Sequence, residues 1–173
     1  SDLQESMDIQ AEVLSKFFCS KKRAGYEFLN LAPYSSWARF GDLYTSFPHK
    51  GQHAYEWIMN LNNEQLQDSH NKLKKLKKQQ EKAFQLVVKS KESIPKRNQL
   101  NQLMFMDYLL QTQAYLQYFQ SRQSFTKALL FKNRGEEKKF LTEIKKVIEY
   151  NNKLYKIMEE KPNNVGYGDQ GGN

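Results

Sequence analysis

The chain reads as an all-α protein: an up-and-down helical bundle, or long antiparallel helical hairpin, of about four helices, with a short aromatic helix capping one end. Three observations predict this. Breakers are scarce, with four prolines and eight glycines in 173 residues, while Lys, Gln, Leu and Glu, all good helix formers, are plentiful. Residues 100–131, LNQLMFMDYLLQTQAYLQYFQSRQSFTKALLF, carry apolar side chains on nearly every side when wound at 3.6 residues per turn, and a helix apolar all round is packed by neighbours on several sides. The segments flanking it are amphipathic and joined by short turns, which makes antiparallel neighbours the default.

The length suits one domain with a sizeable core. Residues 1–161 are assigned to it and 162–173, NNVGYGDQGGN after Pro162, to a disordered tail or linker. Hydrophobic residues are only 39% of the chain, but aromatics reach 13%, and large rings fill a core with fewer residues.

Residues 1–18 form the first amphipathic helix. Leu3, Met7, Gln10, Leu14 and Phe17 make its stripe, Val13 and Phe18 widen it, and Ser1 with Gln4 is spaced as a capping box. No basic stretch precedes an apolar one, so the segment is not a signal peptide. Cys19 has no second cysteine to pair with and reads as a small buried side chain. After Gly25 comes the least regular part. Ala32-Pro33 disfavours helix, and a short helix over 37–47 places Trp37, Phe40, Tyr44 and Phe47 on one face. This cluster reads as the cap of the bundle's open end. Its sharper alternative is an interaction surface in which Trp37 or Tyr44 stacks and Arg39 pairs an anion.

A long helix is expected over residues 52–93, with Asn60-Leu61-Asn62-Asn63 as a possible break. Leu66, Leu73, Gln80 and Val87 recur every seven residues, and Leu76 and Ala83 take the intermediate core spacing beside a polar Ser69. This suggests coiled-coil-like packing. Ser93-Ile94-Pro95 ends the helix. After the central helix, Lys132-Asn133-Arg134-Gly135 is a turn. Residues 136–160 then form a helix whose stripe is Phe140, Ile144, Val147, Asn151, Leu154 and Met158, widened by Leu141, Ile148 and Tyr155.

Charge is concentrated in one place. Residues 1–71 hold 6 basic and 9 acidic groups, residues 72–97 hold 10 and 2, residues 98–134 hold 4 and 1, and residues 135–173 hold 7 of each. Lys72, Lys74, Lys75, Lys77, Lys78 and Lys82 are the candidate anion- or phosphate-binding residues. They belt a helix whose leucines point inward. One reading is a solvated helix surface; the other is electrostatic, sequence-independent binding of nucleic acid or anionic membrane.

Catalytic and metal chemistry find little support. His49 and His53 flank a glycine and lack the glutamate of a zincin motif, His70 stands apart, and no P-loop or nucleophile elbow occurs. Asp107 is the one acid between Glu92 and Glu136, and is expected at a bundle edge or paired with Arg39 or Lys127. Tyr108, Tyr115, Tyr118 and Phe119 read as core. No catalytic residue, metal site or cofactor is assigned, and no run reaches the roughly 18–20 apolar residues of a membrane span. The leading expectation is a non-enzymatic interaction or scaffolding domain of a larger protein or assembly, with a protein partner or self-association.

The last third, YLLQTQAYLQYFQSRQSFTKALLF followed by a glycine turn and an amphipathic helix, resembles helical regions appended to large carbohydrate-active enzymes. It is also similar to the membrane-curving helical hairpins of sorting nexins. The first resemblance implies a further alternative, a helical accessory domain of a larger enzyme with residues 37–44 against the catalytic part.

Overall fold

A computed structural model describes residues 1–18, 61–95 and 99–160. Trp37, Arg39 and Tyr44, together with Cys19, His49, His53, the pattern expected over 52–60 and the tail 162–173, lie outside the described residues. Every long element described is helical: α1 Asp2–Phe18, α2 Asn63–Ser90, α3 Gln99–Asn133 and α4 Glu137–Glu159, with a single 3₁₀ turn, Lys91–Ser93, after α2. The fold is the expected all-α bundle.

Helices pack in chain order, α1 on α2, α2 on α3 and α3 on α4, each antiparallel to the one before. Asp2 meets Lys89 while Gln10 meets Gln80. Asn133 meets Asn63 while Thr112 meets Gln80. Lys127 meets Glu143 while Ser121 meets Asn151.

Of the expected break, Leu61-Asn62-Asn63 resolves into a helix start. The Asn62 side chain accepts from the Gln65 backbone at 2.8 Å and the Gln65 side chain accepts from the Asn62 backbone at 3.0 Å, a reciprocal capping box. All six of Leu66, Leu73, Leu76, Gln80, Ala83 and Val87 are buried. The turn after α3 is a Schellman motif: Glu136 N–H reaches Phe131 C=O at 2.9 Å and Gly135 N–H reaches Lys132 C=O at 3.0 Å. Gly135 holds φ +71°, left-handed backbone that glycine adopts without steric cost. It reverses the chain so that α4 lies back along α3.

The central helix is buried on several sides, with Phe119, Thr112 and Thr126 wholly enclosed. Its first turns differ from the expectation. Leu100 and Met104 are 64% and 63% exposed, because α4 ends at Glu159 and, with Asn151 level with Ser121, does not reach them.

Two faces are rotated from their expected position. On α1, Met7 is exposed and Ser6 fully buried. The Ser6 hydroxyl donates to Ala83 C=O at 2.7 Å and lies 3.1 Å from the Tyr108 hydroxyl, so a small polar residue seats α1 closely on α2. On α4, Leu141, Ile148 and Tyr155 face outward while Glu143 and Ile157 are buried. Gln4 makes half of the expected cap, its N–H on the Ser1 hydroxyl at 3.3 Å, while its side chain turns to Asp8.

Candidate functional site

Because the leucines of α2 fix its rotation, its lysines ring the outside, and neighbouring acids answer many of them. Lys72 pairs with Asp68 one turn earlier, Lys77 with Glu81 at 3.3 Å, and Lys82 crosses to Glu5 at 2.6 Å. Lys89 likewise crosses to Asp2 at 2.9 Å. α1 carries four acids against one lysine and α2 seven lysines against three acids, so the basic helix seats the acidic one. Lys74, Lys75 and Lys78 are exposed and outside the ion pairs among the described residues.

Of these, Lys74 enters a groove of about 320 Å³ that runs over α3 between α2 and α4. Three helices each line it with polar residues at helical spacing: His70 and Lys74 from α2, Gln123 and Lys127 from α3, and Glu143, Lys146 and Tyr150 from α4. Its floor is Glu143, only 4% exposed. One oxygen of that carboxylate accepts from Lys127 Nζ at 3.0 Å and Lys146 Nζ at 2.9 Å. Burial alone would raise its pKa, but the hydrogen bonds and charges of Lys146 and Lys127 hold it below the usual carboxylate value.

His70 is half-buried at one wall. Burial lowers its pKa, the charges of Lys127 and Lys74 lower it further, and the Gln123 backbone and Glu143 only partly offset them. A histidine whose folded pKa lies below its unfolded value of about 6.5 favours the native state while neutral. Stability should therefore be complete above about pH 6.5 and decline as pH falls through that value toward the folded pKa. Chemical unfolding at a series of pH values from about 7.5 to 5.5 should show the decline, and His70→Gln should flatten it. The Glu143 contribution is separable, since it is lost only below about pH 4.5, the range of an ordinary glutamate.

Three ammonium groups against one carboxylate leave an excess of positive charge along the groove. That arrangement suits holding an anion. The hydroxyl beside its histidine, Thr126 Oγ1 at 3.5 Å from His70 Nδ1, is fully buried and donates to the Arg122 and Gln123 carbonyls, and no cluster of three or more metal-ligating side chains occurs among the described residues. No described helix is long and apolar enough to cross a membrane.

Of the six lysines expected to bind anions, the structure brings only Lys74 together with cations of other helices. His70, Lys127, Glu143 and Lys146 were not expected there. Their signal was a polar line at three- and four-residue spacing beside each apolar stripe. Asp107 accepts from Gln111 at 3.0 Å. Lys127, more than five turns along the same helix, pairs with Glu143 instead. Tyr118 and Phe119 fill the core edge to face, with centroids 5.4 Å apart.

A second surface stands out on α4. Leu141, Ile148 and Tyr155, seven residues apart, are 49%, 54% and 66% exposed. Half-buried Ile144 joins this line to the core side of the helix. No protein-family model, curated protein or solved structure matches the chain.

Proposed function

We propose that the chain is a non-enzymatic α-helical interaction domain, a scaffolding element of a larger protein or assembly, which docks through the outer face of α4. The observation that carries this reading is the line Leu141, Ile148 and Tyr155. Single apolar residues at a surface are ordinary, but a continuous line along one helix leaves apolar area in water at about 25 cal/mol per Å². α4 is apolar on the side that packs on α3 and again on the side that faces out. A helix with two apolar faces has room for a second neighbour. The test is the size of the whole chain in solution together with affinity capture, each repeated with Ile148→Glu. A strictly monomeric chain whose captured proteins are the same with and without the substitution would refute the reading.

A second reading is supported by the groove: electrostatic binding of nucleic acid or anionic lipid through Lys74, Lys127 and Lys146, extended by Lys75 and Lys78. Lysines are point charges without base-reading geometry, so such binding would ignore sequence and weaken steeply between about 50 and 200 mM salt. Charge reversal at Lys74, Lys75 and Lys78 should abolish it. Affinity that survives the reversal counts against this second reading.

A further inference from the structure

Resting on the reading of the α4 face as a docking surface, we infer that its occupant is a second copy of this chain, packed α4 against α4 and antiparallel about a two-fold axis close to Ile148. The seam is read from spacing. Leu141, Ile144, Ile148, Asn151 and Tyr155 alternate steps of three and four residues, the interval at which two helices supercoil along a shared line. From Leu141 to Tyr155 this line runs about 21 Å along α4.

Direction is set by charge. The exposed margin of the seam carries Lys138, Lys145, Asn152 and Glu159, again seven residues apart and all exposed. Positive charge therefore stands at the N-terminal end and negative charge at the C-terminal end. In a parallel pair this margin would instead face the partner's opposite margin, Phe140, Val147 and Leu154, which offers Lys138 and Glu159 no charge to pair with. Two antiparallel copies set Lys138 against the partner's Glu159 and Lys145 against the partner's Asn152, and two-fold symmetry makes each contact twice. The ion pairs of α4 among the described residues use Glu136, Glu143 and Glu149, which leaves Lys138 and Glu159 available across the seam. The opposite margin, with Val147 and Leu154, is turned toward α3 and supplies no competing charge.

Two polar groups near the axis are accommodated within each chain. Asn151, level with the partner's Ile148, already accepts the Ser121 hydroxyl at 2.7 Å. Glu149, one residue past Ile148, is turned about 100° around the helix away from the seam and is held by Lys153 at 2.6 Å, so no like charges meet at the axis.

The test is sedimentation equilibrium of the full chain from about 1 to 200 µM, a span that captures micromolar dimers. The wild-type chain should dimerise, and Ile148→Glu should hold it monomeric with an unchanged helical circular dichroism spectrum. Lys138→Glu alone and Glu159→Lys alone should each raise the dimer dissociation constant by about 10-fold, since every such change alters two symmetry-related exposed contacts. The double charge swap should restore it to within about 2-fold of the wild type. Two results overturn the inference directly. One is a dimer indifferent to Ile148→Glu, and the other is a double swap that fails to restore association. A wild-type chain still monomeric at about 200 µM also overturns it. If such a monomer captures another protein that Ile148→Glu releases, the docking face stands and only its occupant is wrong. If capture is unaffected, both fail.

Discussion

Replacing Gln80 with alanine should cost about 3 kcal/mol of stability and lower the melting temperature of the whole chain by roughly 10 °C. Gln80 is fully buried where α1, α2 and α3 meet. Its amide donates to the Gln10 side-chain oxygen at 3.2 Å and to Thr112 C=O at 3.0 Å. Alanine opens a cavity and leaves Gln10, itself 4% exposed, with an unanswered carbonyl in a dry seam. The companion experiment is the pair Gln10→Leu with Gln80→Leu. Removing both partners together leaves no orphan, so the double variant should recover most of the loss or exceed the wild type. Guanidinium unfolding of the single and double variants decides the matter; an alanine variant within about 0.5 kcal/mol of wild type would show that the layer contributes little.

Phe119→Ala should be costlier still, about 4 kcal/mol. Its ring is wholly buried on the helix that both α2 and α4 pack against, and Tyr118 meets it edge to face. Phe119 stands seven residues from both Thr112 and Thr126, which meet Gln80 and His70 of α2, so the loss falls on the α2 seam. Leu100→Ala, on the same helix but 64% exposed, should change stability by less than about 0.5 kcal/mol. Comparable losses at the two positions would contradict the uneven burial of α3.

These contrasts mark how far the residues alone could be read. The apolar girth of α3 identified the central helix, and the seven-residue line of α2 identified its inward face residue by residue, because both are properties of one helix. The faces of α1 and α4 came out rotated because their orientation depends on a neighbour. Periodicity scores Ser6 as surface until the carbonyl of Ala83 is placed against it. It scores Glu143 as surface until lysines from two helices converge on it. The groove was hidden for the same reason: His70, Lys127 and Lys146 lie far apart in the chain, and only antiparallel packing sets them side by side. The lysine belt was visible as charge, yet the share of it matched to the acids of α1 depends on which helix lies next to which.

The order of packing also bears on how the chain folds. Contacts between α3 and α4 close short loops, as Lys127 with Glu143 spans 16 residues. Those between α2 and α3 are nested outside them, and the α1 contacts are the most distant, Ser6 reaching Ala83 across 77 residues. Closing a longer loop costs more chain entropy before any contact repays it. The α3–α4 hairpin is therefore the natural nucleus, α2 the first addition and α1 the last to dock. The same hierarchy in reverse governs opening: the amides of α1 should exchange with solvent through a local detachment well below the free energy of global unfolding, while those around Phe119 wait for the whole bundle to come apart.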